Sequence, residues 1–468
     1  MFFDTPIYYI FLLTIVSGYW ILRHRGQNIL LLAGSYFFYG WWDWRFLTLM
    51  AGSTLADFLF ATLISNSSNA QKRKLLLGLS IGLNLVFLGY FKYFNFFSDS
   101  LHVLLSSLGF DVSKRVLEIV LPPGISFYTF QAIAYMVDVY FGRIRPSKNL
   151  IEYALFISFF PHLIAGPIQR PDHLLPQVEK PRSFEPTQFS NGLMLILTGL
   201  FRKCVIADQC ALIANAAFSG SLGPVNIGTV ALGAYAFAWQ IYGDFSGYSN
   251  IARGSAQLLG FHFMVNFKQP YLSTSIRDFW RRWHISLSSW LRDYLYVPLG
   301  GNRLGEHKTY RNLFLTMLIG GLWHGANWTF VLWGALHGAW LAVERFFDFD
   351  SDRVNHGAIK QWFKRFVIFH LVCFAWIFFR APTMGAAFDF LEGLKTWSIS
   401  GNFYPLFSML AAFSIPMLMM DWLENRRNEE FLTEKSSTIV QIVFAVVLLS
   451  TVVLFSANSS AAFIYFQF

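Results

Sequence analysis

Long apolar runs separated by short polar stretches dominate the pattern along this chain. A helix needs about 20 mostly apolar residues to cross a bilayer. The longer runs predict membrane helices at 6–22, 75–98, 191–216, 228–252, 311–342, 365–380, 403–422 and 438–456. Shorter or interrupted runs lie at 28–42, 45–64, 118–141 and 150–166.

Glycine and proline interrupt several of these runs, at Pro122-Pro123-Gly124, Pro161 and Gly166-Pro167. Such breaks are typical of re-entrant or discontinuous helices that surround a cavity. We therefore expect an all-α polytopic membrane protein with roughly ten to thirteen transmembrane and re-entrant helices. No repeat or long polar insertion divides the chain, so residues 1–468 are predicted to form one integral-membrane domain.

Composition supports a membrane protein. Apolar residues make up 55% of the chain and charged residues 13%, against about 25% charged in soluble domains. This excludes a soluble enzyme, a disordered chain, a coiled coil and a disulfide scaffold. The three cysteines are not closely paired and no metal-ligand motif occurs, so no metal site is predicted.

The net charge of +9 comes from basic residues between the apolar runs. Such residues set topology and contact lipid headgroups, so the lipid bilayer rather than nucleic acid is the expected partner. Basic clusters at 23–25, 72–74, 143–148 and 426–435 are predicted to be cytoplasmic. Both termini, including the tail 457–468, are then expected on the opposite side of the membrane.

The densest polar stretch runs from Arg277 to Tyr294. On one continuous helix, a single face would carry Arg277, Arg281, His284, Ser288 and Arg292. Two interpretations remain open. A basic amphipathic helix lies at a membrane surface, whereas arginines beside tryptophans also suit the phosphates and base of a nucleotide-bearing substrate.

His324 interrupts a long apolar run and is flanked by glycines. An ionisable side chain at membrane depth usually faces a cavity or a partner. His324 is therefore a candidate general base for a hydroxyl proton, or a structural histidine that bonds across helices. Asp244 is likewise isolated among apolar residues. It either orients a catalytic group or pairs with a buried arginine.

Six motifs occur in order between residues 121 and 327, within a likeness that covers nearly the whole chain: Leu121-Pro-Pro-Gly-Ile-Ser-Phe-Tyr128, Phe160-Pro-His-Leu-Ile-Ala-Gly-Pro-Ile168, Tyr242-Gly-Asp-Phe-Ser-Gly-Tyr248, Phe279-Trp-Arg-Arg-Trp-His-Ile-Ser286, Pro298-Leu-Gly-Gly-Asn-Arg303 and Gly321-Leu-Trp-His-Gly-Ala-Asn327. Together they resemble the membrane-bound O-acyltransferases, in the bacterial branch that includes alginate, cellulose and peptidoglycan O-acetylation proteins.

The resemblance implies a ring of helices around a funnel, with residues 240–337 as the catalytic and donor-binding core. His324 corresponds to the family's catalytic histidine and His284 to its second recurrent polar position. Phosphates and adenine of acetyl-CoA, the implied donor, are expected at Arg277, Arg281, Arg282, Arg303 and Trp283. Supporting positions are Asp244, Trp323, Asn327 and Trp328.

The tail Phe463-Ile-Tyr-Phe-Gln-Phe468 resembles a carboxyl-terminal motif of the same branch. That likeness makes Tyr465 a candidate acyl relay; the alternative is an aromatic tail anchored at the membrane interface.

The predicted function is acetyl transfer across the bacterial inner membrane for O-acetylation of an exported polysaccharide of the alginate or cellulose type. The expected partners are a periplasmic esterase-like transferase and the exopolysaccharide secretion machinery. Alternatives are transfer of a D-alanyl or fatty acyl group, or a transporter or flippase of a glycan precursor. The acceptor and the oligomeric state are not predicted.

Overall fold

The computed structural model describes residues 1–110, 113, 116–164, 166–347, 357–399, 401–456 and 464. Within these ranges every regular element is a helix, which confirms the predicted all-α class. The chain separates into two compact units, Met1–Gly192 with Ala252–Met264 and Leu193–Ile251 with Val265–Phe468.

The helices up to residue 179 belong to the first unit. They are α1 Pro6–Tyr19, α2 His24–Asp43, α3 Arg45–Asn66, α4 Ala70–Leu88, α5 Phe94–Ser107, α6 Ile125–Tyr140, α7 Leu150–Ser158, α8 Phe160–Leu163 and α9 Pro171–Glu179. Buried Asp57 on α3 accepts hydrogen bonds from Ser80 Oγ, at 2.5 Å, and from Asn84 on α4. A buried carboxylate is costly unless it is hydrogen-bonded. Moving α3 away from α4 would break these bonds, so the contact holds the two helices together.

Two unit boundaries fall inside α10 and α12, so only part of each belongs to the second unit; the third follows Met264, outside any helix. All the other helices after α9 belong to the second unit. The helices after α9 are α10 Pro186–Leu200, α11 Asp208–Phe218, α12 Ile227–Leu258, α13 Ile276–Arg282, α14 Ile285–Leu291, α15 Glu306–His324, α16 Trp328–Phe346, α17 Ala358–Arg380, α18 Met384–Glu392, α19 Phe403–Arg427 and α20 Thr438–Phe455.

Among the residues that the structure describes, six helical stretches are long and apolar enough to cross a membrane: Arg45–Asn66, Ala70–Ser107, Pro186–Phe218, Ala358–Arg380, Phe403–Arg427 and Thr438–Phe455. Each overlaps an apolar run that predicted a membrane helix. In Thr438–Phe455 only 11% of the window is buried inside the protein. Its exposed valines and leucines are the surface expected of a helix that faces lipid.

The apolar run 311–342 was predicted as one span, and this is wrong. It forms two helices, α15 and α16, separated at residues 325–327. Gly325 is fully extended (φ −157°, ψ 146°) and ends α15. Asn327 then caps α16, since its side chain accepts the backbone N–H of Thr329. The run therefore folds as a helical hairpin.

Aromatic rings fill the core of the second unit. Trp333 on α16 stacks on Trp376 of α17, with ring centroids 5.6 Å apart. Trp283 lies 5.1 Å from Trp376 and stacks at 5.5 Å on Phe279 of α13. Ring pairs of this kind add stability beyond the area that they bury. This core packs α13 and α17 against α16 of the hairpin.

Candidate active site

His324 is the last residue of α15 and stands at the turn of the hairpin. Two glycines allow the hairpin to close tightly. A Cβ at Gly321 would collide with the carbonyl oxygen of Phe330, and one at Gly334 with that of Met317. Small residues at such crossings let helix backbones approach each other closely. The position of His324 thus depends on the lack of side chains at these two glycines.

Aromatic side chains surround the imidazole of His324, which is 2% exposed. Its ring centroid lies 5.1 Å from that of Trp333 and 5.5 Å from that of Phe379. Trp323, its neighbour in the chain, is 3% exposed. Such a lining excludes water and strengthens electrostatic interactions at the imidazole.

His284 is brought next to His324, with ring centroids 6.2 Å apart. It joins α13 to α14 in the left-handed conformation (φ 44°, ψ 53°). Residues other than glycine rarely adopt this conformation, and those that do cluster at functional sites. The structure thus brings together two histidines that the sequence predicted separately.

Asn266 orients the ring of His284. Its Oδ1 accepts the backbone N–H of Ser286 at 3.2 Å and the Ser286 hydroxyl at 2.9 Å. The same oxygen lies 3.2 Å from Nδ1 of His284, so Nδ1 must be the donor. His284 lies outside the six candidate spans, and burial lowers the pKa of its imidazole. The ring is therefore neutral, with its basic nitrogen at Nε2.

Sequence reasoning missed Asn266, because Val265-Asn-Phe267 matches no motif. Its only signal was an amide in an apolar context, which is a weak one.

The continuous basic helix predicted across residues 277–292 does not form. The left-handed residue His284 separates α13 from α14. The neighbouring segment stabilises this break, since Lys268 N donates to the Arg282 carbonyl and Ile285 N donates to the Asn266 carbonyl. His284 is consequently buried while Arg277 and Arg292 are exposed, so the shared face was a wrong prediction.

A cavity of about 540 Å³ lies at the other end of the hairpin from His324. Its basic lining residues are Arg277, Arg292 and Arg345, beside Glu306 and Glu344. Glu344 accepts the backbone N–H groups of Ile276 and Arg277, at 2.8 and 2.9 Å. This carboxylate therefore fixes the start of α13 and with it the backbone of Arg277. The Asp293 carboxylate beside Arg292 raises the pKa of that guanidinium, which stays charged.

Only one of the arginines predicted to bind the donor, Arg277, lines this cavity, together with Arg292 and Arg345, which were not predicted as donor ligands. Arg281 and Arg303 are exposed elsewhere. Arg282 donates to Asp278 at 2.8 Å and to Asn425 at 3.0 Å. Trp283 is fully buried in the aromatic core, so its ring is not available to stack on an adenine.

The predicted supporting residues have different environments. Asn327 caps α16, and its Nδ2 donates to the carbonyl of Pro382 at 2.8 Å, so both ends of its amide have structural partners. Trp328 is 56% exposed. Tyr465 and most of the tail lie outside the described residues.

Asp244 pairs with a buried cation, as one of its two interpretations predicted, but the cation is Lys203 rather than an arginine. Its Oδ1 lies 3.0 Å from Lys203 Nζ, which also contacts Asp208 at 2.7 Å. Asp244 Oδ2 accepts the backbone N–H of Ile464 at 2.7 Å. Within the described part of the chain, no group of three histidine, cysteine or acidic side chains could hold a metal ion.

Comparison with known proteins identifies the family. The family model of the membrane-bound O-acyltransferases matches residues 83–381. The chain belongs to the membrane-bound O-acyltransferase family. It is therefore a membrane-embedded O-acyltransferase, and the transporter alternative is not supported.

Full-length relatives agree with this family assignment. The chain is 40% identical to a probable alginate O-acetylase of Pseudomonas putida, with 100% of both chains covered. It is 44% identical to a protein of the same name from Pseudomonas aeruginosa, over 86% of this chain and 76% of the relative. It is also 37% identical to a peptidoglycan O-acetyltransferase of Helicobacter pylori, over 84% of this chain and 79% of the relative. In this acyltransferase, both histidines and the arginine-lined cavity fall within the matched region.

Proposed function

We propose that this acyltransferase moves acetyl from cytoplasmic acetyl-CoA to a hydroxyl acceptor, for O-acetylation of an exported polysaccharide at the bacterial inner membrane. The observation that carries the proposal is the adjacency of His324 and His284, 6.2 Å apart at the closed end of the hairpin. The names of the relatives, which specify O-acetyl transfer to alginate or peptidoglycan, support acetyl as the group.

In the proposed reaction His324 removes the proton of the acceptor hydroxyl. The resulting oxygen nucleophile attacks the thioester carbonyl, a C–O bond forms and the C–S bond breaks. Coenzyme A leaves as a thiolate and receives the proton from the His324 imidazolium. Neutral His284, held by Asn266, orients the acceptor through the lone pair at Nε2.

The arginine-lined cavity supports coenzyme A as the donor. Leu313, a lining residue, precedes His324 by eleven positions on α15, which corresponds to about 16 Å along the helix axis. Coenzyme A separates its phosphates from its thioester by an extended pantetheine arm. If the phosphates bind at Arg277, Arg292 and Arg345, the pantetheine arm can extend along the hairpin and bring the thioester to His324.

The proposal includes a relay. Acetyl passes first to the Tyr465 hydroxyl as a phenyl ester, and then to a periplasmic esterase-like transferase that modifies the polysaccharide. Both termini are periplasmic in this scheme. Tyr465→Phe removes the only hydroxyl of the tail Phe463–Phe468. Full acetylation of the exported polysaccharide in cells that express this variant would reject the relay.

The deciding experiment uses the purified full-length protein in lipid vesicles, with acetyl-CoA labelled in the acetyl group. We expect label to pass to a hydroxyl acceptor and to be lost in His324→Ala. His307→Ala is the matched control, because His307 is an exposed histidine on the same helix. Transfer that persists in His324→Ala would exclude this residue as the base.

The same assay distinguishes the acyl group. Labelled D-alanyl thioester and a long-chain acyl-CoA are offered in place of acetyl-CoA, at equal concentrations. The proposal requires acetyl to be transferred fastest. Faster transfer of either competitor would show that acetyl is not the preferred acyl group. The assignment as an O-acyltransferase would still hold.

A further inference from the structure

Two adjacent basic residues are buried in the second unit, in the π-helical segment Phe201–Ala207 that follows α10. Arg202 is 5% exposed and Lys203 is 1% exposed. Each faces two carboxylates: Arg202 contacts Asp421 and Glu424, and Lys203 contacts Asp208 and Asp244. Buried charges are costly and π-helical turns are frequent at functional sites. The buried charges and the π-helical segment therefore need an explanation.

The cluster around Arg202 is built from contacts within the helical core. Tyr242 donates to Asp421 at 2.7 Å, and Gln269 donates to Glu424 at 3.3 Å. Arg202 also lies 3.4 Å from the Ser246 hydroxyl. These contacts join the segment Phe201–Ala207 to α12 and α19, so a structural role accounts for this cluster.

The Lys203 cluster differs, because it reaches the carboxyl-terminal segment of the chain. Asp244 Oδ2 accepts the backbone N–H of Ile464 across 220 positions of sequence. The Ile464 side chain is 1% exposed and belongs to the hydrophobic core of the second unit. Residue 464 is therefore held twice, by a charge-assisted hydrogen bond and by burial of its side chain.

This docking contact lies beside the candidate active site. Phe245 follows Asp244 on α12, and its ring packs edge-on against His284 with centroids 4.6 Å apart. His284 in turn neighbours His324. Ile464 immediately precedes Tyr465 in the sequence. Asp244 therefore binds the residue before Tyr465, the proposed relay, and it also directly precedes Phe245, which packs against His284.

We propose that Lys203, Asp208 and Asp244 form the docking site for the carboxyl-terminal segment of this chain, and that they position it for transfer. Lys203, which also contacts Asp208, holds the Asp244 carboxylate in place, and Asp244 binds the Ile464 N–H. The positioning role rests on the proposed acetyl relay; the docking itself does not. These are positioning residues, since none of them takes part in bond making.

Docking is tested by hydrogen–deuterium exchange of the carboxyl-terminal peptide in the full-length protein. A hydrogen bond to a charged acceptor protects an amide by about tenfold or more. Asp244→Leu should therefore raise exchange of the Ile464 amide by about tenfold. Asp244→Asn keeps an acceptor oxygen and should raise it less. Asp421→Asn is the matched control in the Arg202 cluster and should leave it unchanged.

Unchanged exchange in Asp244→Leu, in protein whose thermal unfolding matches that of the Asp421→Asn control, would overturn the docking site. Variants at residue 464 leave Lys203, Asp208 and Asp244 themselves unchanged. Ile464→Pro removes the N–H donor, whereas Ile464→Ala removes most of the side chain but keeps the donor. We expect exchange of the remaining tail amides to rise more in Ile464→Pro than in Ile464→Ala. Equal exchange in the two would also overturn the proposal.

Positioning is read separately, from the acetyl content of the exported polysaccharide in cells that express each variant. This acetylation should fall at least tenfold in Ile464→Pro relative to Ile464→Ala, because alignment of reacting groups contributes strongly to rate. Retained transfer with a released tail would overturn the positioning role and leave docking standing. Absence of transfer in the unaltered protein would instead reject the proposed function, a result that the exchange experiment does not depend on.

Discussion

The two ends of the α15–α16 hairpin have opposite chemical character. At the closed end, His324 is 2% exposed and is surrounded by aromatic rings. At the other end, three arginines line a cavity of about 540 Å³. A buried imidazole suits proton transfer and an arginine cluster suits anion binding. The hairpin therefore separates the proposed chemical step from the proposed donor binding.

This separation makes a kinetic prediction. Changes at the closed end should lower the rate at saturating donor, because they affect the transition state. Changes at the cavity should raise KM and leave that rate nearly intact, because they remove binding that is equal in the ground and transition states. The two ends are not separate in function if a change at the closed end raises only KM, or if a change at the cavity lowers the rate at saturating donor.

The largest effect is expected at His324. Replacement by alanine removes the proposed base, and this should lower single-turnover transfer by roughly 10²–10⁴-fold. Binding of acetyl-CoA, measured by equilibrium dialysis, should change little, because the phosphates are proposed to bind at the opposite end. If donor binding falls in parallel with transfer, the two ends are not separate.

His284 is expected to give the next largest effect. Asparagine tolerates the left-handed conformation, so His284→Asn removes the imidazole with little backbone strain. Misplacement of the reacting groups should lower transfer by about 10²-fold. His307→Asn, the same replacement at an exposed histidine, is the control. A similar loss in both variants would show that the effect is not specific to the imidazole of His284.

The histidine pair shows how far sequence reasoning extended. Motifs and an isolated polar character were sufficient to single out His284, His324 and Asp244 as candidates. Their mutual arrangement was not predictable, because it depends on the break at His284. That break is stabilised by contacts with residues 266–268, which no local pattern of residues 277–292 reveals.

The fold shows a similar division. The apolar runs read from the sequence overlap all six candidate membrane spans. They failed at 311–342, because a three-residue turn within an apolar run leaves the overall hydropathy high. Only the extended Gly325 and the Asn327 cap mark the turn. The arginines predicted to bind the donor do not lie together: Arg277 lines the cavity and Arg281 does not, because the chain bends at His284 where one continuous helix was assumed.

The cavity arginines test this correction directly. Arg292→Ala or Arg345→Ala should raise the KM for acetyl-CoA by about tenfold, as expected when one charge-assisted hydrogen bond is lost. Added salt should reduce the difference. Arg303→Ala should have a smaller effect, because Arg303 does not line the cavity. A larger effect at Arg303 would restore the sequence-based assignment of the donor site.

The smallest effect is expected at Asn327, the residue that begins α16. Asn327→Ala removes the cap on Thr329 and the bond to Pro382, and should lower the free energy of unfolding by about 1 kcal/mol. Asn327→Asp keeps a capping oxygen and should recover most of this loss. Transfer should change less than twofold in Asn327→Asp, measured in the same vesicles. A large loss of transfer in this well-folded variant would mean that the amide N–H acts on the substrate, so that the closed end contains a third reactive group beside the two histidines.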